Sequence, residues 1–262
     1  MIKLGGRSLS RIFSAAFKPE HYVAISGMWK NYPHFLEGLY RYLSVQGTYP
    51  VRFEVRTPLG LLSPTLYSSD DFRTLNEIFC REDYSVPSSI RTVVDFGSNI
   101  GLSALYFLSR NTDAIAYLYE PLSSNVERLT SNLAGFESRY RLDPVAVGVE
   151  DGEVEFGYEP TGRYGGIGLP FPQTCRVPCK SAVRVIESVL EERGHIDALK
   201  IDIEALEQDV LLSLEPHQLS LIGMIFIEQR FDSNLLGPIF DFRQYGGVAQ
   251  FRKRDLETVG AS

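Results

Sequence analysis

The residues of this chain most able to do chemistry are acids placed where apolar runs stop. Asp95 follows Thr92-Val93-Val94, Glu120 follows Ala114 to Tyr119, Asp202 and Glu204 follow Ala198-Leu199-Lys200-Ile201, and Glu228 follows Ile222 to Ile227. Apolar runs of this length read as buried strands, and in an open α/β sheet ligands bind outside the carboxyl ends of the strands. Asp202 and Glu204 then stand on the same rim as Glu120. One of them could accept a proton from a hydroxyl, and their charge would favour a cation. Glu120, at the tip of its strand, could accept from both hydroxyls of a ribose. Two or three acids on one rim could also hold Mg, but no separate ligand cluster accompanies them and no metal is expected.

These acids need a corner to act beside. The stretch Asp95-Phe96-Gly97-Ser98-Asn99-Ile100-Gly101 leaves a strand, breaks at glycines, and passes into Leu102, Leu105, Tyr106 and Leu108 at helical spacing. Glycines at 97 and 101 allow a sharp turn and close approach to a ligand, and a helix start offers free amide donors. The dinucleotide fingerprint requires G-x-G-x-x-G, whereas Asn99 sits where its second glycine would be, which weakens a pyrophosphate reading. A glycine corner beside Glu120 fits an adenosyl ligand.

The remaining elements follow from pattern. Residues 1–50 read as aromatic-rich helices, with Trp29, Tyr32, Phe35, Tyr40 and Tyr42 mostly in a core, and Val51 to Tyr67 reads as a β-hairpin turning at Leu59-Gly60. Ser69-Asp70-Asp71 caps a helix through Phe79, Ser124 and Glu127 form a capping box for a helix ending near Gly135, and Tyr140 to Gly148 is a third strand with its exit loop. An alternating Glu153 to Tyr158 precedes a loop with four glycines in 162–168, read as a lid or a free tip. Ser181 to Gly194 is an amphipathic helix, and another follows over Leu206 to Leu214. Leu235 to Tyr245 reads as a helix and Val248 to Arg252 as a late strand, so a full terminal hairpin is not expected. Strands alternating with helices imply a mostly parallel sheet covered on both faces.

Three ordered motifs, Val94 to Ser103, Tyr119-Glu120-Pro121 and Leu199-Lys200-Ile201-Asp202-Ile203-Glu204, resemble the FkbM-type family of S-adenosylmethionine-dependent methyltransferases. That resemblance covers about residues 70 to 245 and implies an α/β class I methyltransferase (Rossmann-like) sheet over 69–262, preceded by a small helical and β-hairpin appendage over 1–68. It implies S-adenosylmethionine as cofactor, held by Asp95, Gly97, Ser98, Asn99, Gly101, Glu120, Ala146, Val147 and Asp202, with Asp202 and Glu204 as catalytic candidates. Tyr84, Arg163, Tyr164 and Glu228 are candidate contacts to a small-molecule acceptor bearing a hydroxyl, such as a sugar or natural-product intermediate. The family has Lys-Ile-Asp-x-Glu-Gly where this chain has Ala205-Leu206 after Glu204.

Composition sets the remaining bounds. The 262 residues are 44% hydrophobic and 23% charged, ordinary for a globular protein, and the net charge of −7 argues against a nucleic-acid partner. Cys80, Cys175 and Cys179 show no repeated spacing and four histidines are scattered, which gives no zinc set and points to a reducing, cytoplasmic setting. No apolar run reaches the roughly 20 residues of a membrane span. Residues 1–19 lack acid and carry Lys3, Arg7, Arg11 and Lys18 beside apolar residues at helical spacing, read as a helix packed on the domain, with a membrane-surface or transit-like segment as alternatives. Two other functions stay open: a nicotinamide-dependent oxidoreductase, which would need a Tyr-x-x-x-Lys or His pair that is absent, and a non-catalytic scaffold keeping the cofactor fold.

Overall fold

The computed structural model describes residues 3–4, 7–8 and 19–254. The chain divides into two compact units, Met1–Ser85 and Val86–Ser262. The helix expected over 1–19 lies mostly outside the described residues; within it, β1 (Lys3–Leu4) pairs antiparallel with β2 (Arg7–Ser8).

In the first unit, α1 (Pro19–Asn31) and α2 (Phe35–Ser44) are separated at Pro33, where the ring removes an amide donor. The expected hairpin forms as two short ladders, β3 (Val51–Arg52) with β6 (Thr65–Leu66) and β4 (Val55–Thr57) with β5 (Gly60–Leu62). It leads into α3 (Ser69–Phe79), whose cap is Ser68, its hydroxyl accepting from the Asp71 amide. Sequence pattern assigned α3 to the second domain; the division instead falls after Ser85. The core holds Tyr32, Phe53 and Phe72, with ring centroids 4.9 Å (Tyr32 to Phe53) and 5.1 Å (Phe53 to Phe72) apart. Of the five rings expected to be mostly core, Tyr32 alone is fully buried; Trp29 and Tyr40 are 72% and 57% exposed. Close ring spacing in sequence spread them around the helices instead of along one face.

The second unit is built on a seven-stranded sheet. Five strands run parallel: β7 (Thr92–Phe96), β8 (Ile115–Tyr119), β9 (Tyr140–Asp143), β14 (Ile196–Ile201) and β15 (Ile222–Ile227). The antiparallel hairpin β16 (Phe240–Tyr245) and β17 (Val248–Lys253) completes it, and the spatial order is β9-β8-β7-β14-β15-β17-β16. The helix expected over Leu235 to Tyr245 is therefore a strand, and the terminal hairpin is present. Leu235, Leu236, Ile239 and Phe240 imitate helical spacing, but Pro238 interrupts it, and Phe240 and Phe242 alternate into the Gly246-Gly247 turn.

Helices cover both faces. On one, Val185, Ile186 and Val189 of α6 (Ala182–Arg193) share a core with Val94, Phe96, Leu199 and Ile201, and α7 (Glu207–Ser213) adds Val210 and Leu211. On the other lies α4 (Leu102–Leu108), whose Phe107 meets Phe226 at 6.5 Å between ring centroids. Strand alternation explains the division, because Val94 and Phe96 point one way and Val93 and Asp95 the other. Between β8 and β9 runs α5 (Ser123–Asn132), and α8 (Pro216–Ser220) precedes β15.

A second sheet, ordered β10-β13-β11-β12, is inserted between β9 and α6. The chain from Tyr140 does not continue as one strand: it breaks at Pro144, and β10 (Ala146–Gly148) pairs parallel with β13 (Gln173–Ser181). Between these, β11 (Gly152–Tyr158) turns back as β12 (Gly165–Ile167), so most of the glycine-rich segment is an ordered hairpin. Strand β13 was not expected from sequence, although Val177, Cys179 and Ser181 alternate inward along it.

Candidate cofactor and acceptor site

The strand order reverses between β7 and β14, and the glycine corner leaves β7 at that point. The corner closes on itself: the Gly97 and Ser98 amides both donate to Tyr119 O at 3.0 Å, and Gly101 N–H donates to Ser98 O at 2.9 Å. Gly97 has φ +77° and passes so close to β14 that a Cβ there would lie 1.8 Å from Asp202 O. No other residue fits. Asn99 takes the left-handed conformation (φ +48°), which its short amide tolerates, and its side-chain oxygen accepts from the Ile100 amide at 2.8 Å. The amides of Asn99, Ile100 and Gly101 are thus spent within the chain. Ahead of the helix, then, the corner contributes shape and not donors; the first amides of α4 itself begin at Leu102.

Glu120 is 4% exposed and anchored from three sides. Its Oε2 accepts from Asn99 N–H (2.9 Å), while Oε1 accepts from Leu122 N–H (3.0 Å) and Asn125 Nδ2 (3.2 Å). Burial pushes its carboxyl up to about 7 despite these donors. The same anchoring makes Leu122 the N-cap residue of α5, so the expected Ser124 and Glu127 capping box is not formed.

Beneath the corner lies a buried ionic cluster. Lys200, 3% exposed, places Nζ 3.0 Å from Asp95 Oδ1 and 3.1 Å from Asp202 Oδ2, and donates to Gly97 O at 2.9 Å. The in-register pairing of Asp95 with Lys200 across β7 and β14 dictates the first contact. Asp95 also accepts from Ser103 Oγ at 2.5 Å. Burial works to lower the Lys200 pKa, and Asp202, Asp95 and Glu228 overcome it and raise it. Burial and the nearby Glu228 push the Asp202 carboxyl up against the pull of Lys200.

After β14 the chain makes an unusual turn. Glu204 and Ala205 are both left-handed, at φ +54° and +73°. Burial raises the carboxyl of Glu207 in the turn, and the backbone of Glu204 and Ile203 opposes that shift. Burial, then the charges of Asp202 and Glu207, raise Glu204 to about 7, with Arg163 opposing.

These elements enclose a cleft of about 540 Å³, open mouth included. Of the residues singled out in the sequence, Gly97, Asn99, Glu120, Ala146, Val147, Arg163, Asp202 and Glu204 line it. Asp95 and Ser98 act below it and Gly101 starts α4 behind it. Glu228 is exposed beyond the tip of β15, and Tyr164 lies under the Arg163 guanidinium, 4.7 Å from its ring centroid. Tyr84 is buried and belongs to the first unit.

Sequence reasoning missed Lys200, Asn125 and Glu207. A lysine within the apolar run Ala198-Leu199-Lys200-Ile201 was the available signal for the first; the others sit on helices whose polar positions carry no signal of burial. The tip of the β11-β12 hairpin is fastened over the cleft, because Asn99 Nδ2 donates to Arg163 O (3.1 Å), Asn125 Nδ2 to Gly162 O (2.8 Å) and Arg128 Nη1 to Thr161 O (2.9 Å).

The cleft fits an adenosyl group by its chemistry. Glu120 Oε2 accepts from a single donor among the described residues and retains acceptor capacity. Leu122, Val145, Ala146, Val147, Phe156 and Ile167 supply apolar walls, and Asn125 Oδ1 is a buried acceptor lacking a hydrogen-bond partner among the described residues. No group of His, Cys, Asp and Glu side chains among the described residues is placed to hold a metal ion. Among them, too, no helix is long and apolar enough to cross a membrane.

The sheet order, with one antiparallel strand second from the edge and the cleft at the reversal point, defines a class I methyltransferase-like, Rossmann-like fold. No protein-family model matches the chain. It is similar to the AMB antimetabolite synthetase AmbE of Pseudomonas aeruginosa, 28% identical in a 218-residue alignment that covers 67% of this chain and 10% of that protein. The chain thus spans about a tenth of the length of that curated relative. Among solved structures, the methyltransferase FkbM from Methylobacillus flagellatus is 14% identical, with 70% of this chain and 54% of that chain covered and a TM-score of 0.43. A methyltransferase from Geobacter sulfurreducens is also 14% identical, with 94% and 96% covered and a TM-score of 0.43. An O-methyltransferase family protein from Burkholderia thailandensis is 9% identical, with 71% and 58% covered and a TM-score of 0.40.

Proposed function

We propose that this chain is an S-adenosylmethionine-dependent methyltransferase of the FkbM type, transferring a methyl group to a hydroxyl oxygen of a small molecule such as a sugar or natural-product intermediate. The observation that carries the reading is Glu120, fixed by three donors at the tip of β8 and facing an apolar-walled cleft at the point where the sheet order reverses. The name of the similar synthetase, which makes an antimetabolite, supports a small-molecule biosynthetic setting. The nicotinamide alternative is disfavoured by Asn99, which stands where the dinucleotide fingerprint has its second glycine.

When bound, the cofactor would supply an activated methyl on a sulfonium. Glu120 would hold the ribose diol, and Ala146 and Val147 the base. Asp202, oriented by Lys200, would favour the cation in its ionised form. Glu204 is the better proton acceptor of the two catalytic candidates: burial and neighbouring acids raise both carboxyls to about 7, but Asp202 is held by Lys200 at 3.1 Å, whereas the Glu204 carboxylate accepts no hydrogen bond among the described residues. Positioning supplies most of the remaining catalysis.

The test is transfer of labelled methyl from S-adenosylmethionine to a panel of polyhydroxylated small molecules. Transfer to oxygen of one class supports the reading. Cofactor binding with no transfer to any acceptor would favour the scaffold alternative, for which Ala205 at φ +73°, where the family has glycine, is the specific observation.

A further inference from the structure

The turn that carries Glu204 does not hold its shape unaided. Glu204 and Ala205 are consecutive left-handed residues, at φ +54° and +73°, and side-chain-bearing residues persist in that conformation only where neighbours enforce it. The neighbour here is the β11-β12 hairpin. Gly166 of β12 is buried, and a Cβ on it would lie 2.9 Å from Glu204 O and 3.1 Å from Glu204 Cβ. The strand therefore rests directly on the turn, at a spacing that only glycine permits. At its other end the hairpin is fastened, because Asn99, Asn125 and Arg128 hold the carbonyls of Arg163, Gly162 and Thr161. Gly165 and Ile167, on either side of Gly166, line the cleft together with Glu204, while Gly166 itself stands behind the wall.

We propose that Gly166 is a positioning residue: by letting β12 press against the backbone of Glu204, it keeps that carboxylate at the cleft wall and shields it from water. The proposal rests on the reading of Glu204 as proton acceptor and adds to it the element that holds the acceptor in place. The charged groups facing Glu204 are Asp202 at the end of β14, Glu207 on α7 and Arg163 on the hairpin, but burial is the largest influence and brings its carboxyl to about 7. Burial is what the hairpin supplies. Parting β12 from the turn should return the carboxyl toward its ordinary value near 4.5. Alanine at 166 is a suitable wedge, since a strand conformation accepts it. Its methyl would meet the Glu204 backbone and also Leu169 Cδ1 at 2.7 Å, the latter a side-chain end that can swing aside.

The experiment is an NMR titration of the whole chain with isotope-labelled glutamate carboxyls, the Glu204 resonance being assigned by its loss in Glu204→Gln. The wild type should titrate near 7, and Gly166→Ala at least about one pH unit lower. A contact that is only structural would make the variant melt earlier with the midpoint unmoved. An unmoved or raised midpoint in folded Gly166→Ala overturns the proposal, as does a wild-type midpoint near 4.5. If the single variant does not fold, Gly166→Ala combined with Leu169→Ala removes the other close atom and is read in the same way. The proton-acceptor reading fails separately: undiminished methyl transfer by Glu204→Gln removes that role, while a lowered midpoint in Gly166→Ala still establishes that Gly166 positions the carboxylate.

Discussion

Lys200 Nζ lies 3.1 Å from Oδ2 of Asp202, so the most prominent acid of the rim is one arm of a buried ion cluster. The other arm reaches Asp95 at 3.0 Å, and the third donor goes to the carbonyl of Gly97. One ammonium therefore ties the glycine corner, the β7 carboxylate and the β14 tip together, and it explains why a charged side chain occupies the middle of an apolar strand.

Lys200→Met should destabilise the protein by about 3–5 kcal/mol, the usual penalty for leaving buried charge uncompensated. Urea unfolding at pH 7.5 measures it, and the deficit should shrink at pH 5 as the orphaned carboxylates take up protons. A loss that is small, or that does not change with pH, would mean that the cluster is not held by this charge.

Charge and proton transfer separate in two other variants. Glu204→Gln should lower turnover by about 10² to 10⁴ with little change in cofactor affinity, as expected for a lost general base. Asp202→Asn should weaken S-adenosylmethionine more than S-adenosylhomocysteine, since only the former carries the sulfonium charge. The reverse pattern would make Asp202 the base.

Ala205 occupies the left-handed region at φ +73°. Ala205→Gly should relieve about 1–2 kcal/mol of strain and lose about 0.5–1 through the freer unfolded chain, for a net gain of roughly 0.5–1 kcal/mol. Chemical denaturation at neutral pH checks the sign; a glycine variant that is less stable would show that the turn is not strained.

The unliganded protein should be less stable at pH 7.5 than at pH 5. Glu120 ionises at about 7 in the folded chain and near 4.5 when unfolded, so the folded state binds the extra proton between those values. The associated stability is present below about 4.5 and lost as pH rises through 7, on the order of 3 kcal/mol at most for this one group. Glu120→Ala reduces the slope by this group's share, leaving the contributions of Asp202 and Glu204, and also lowers stability at pH 5, because it strands the Asn99, Leu122 and Asn125 donors. A flat wild-type profile across pH 5 to 7.5 would contradict the burial of this carboxylate.

The sheet and the corner were legible because buried parallel strands are apolar runs, and those of β7, β8, β14 and β15 each stop near an acid. The inserted sheet was less so. Pro144 breaks a run that otherwise continues from Tyr140 to Gly148, and β13 hides its inward alternation among Arg176, Pro178 and Lys180. The β16 strand begins inside an apolar cluster whose spacing imitates a helix. At the site, residue types drew attention to Glu120, Asp202 and Glu204, which line one cleft, but their partners depend on register: nothing local says that Lys200 stands beside Asp95, or that Asn125 reaches both Glu120 and Gly162.

The most direct test of the whole account is calorimetric titration of the folded chain with S-adenosylmethionine and S-adenosylhomocysteine. The account predicts one site per chain for each, with the demethylated product bound at least as well, and binding weakened by about 1.5–3 kcal/mol in Glu120→Ala, as for charged hydrogen bonds. Absence of heat with both ligands, from a sample shown to be folded, would contradict it.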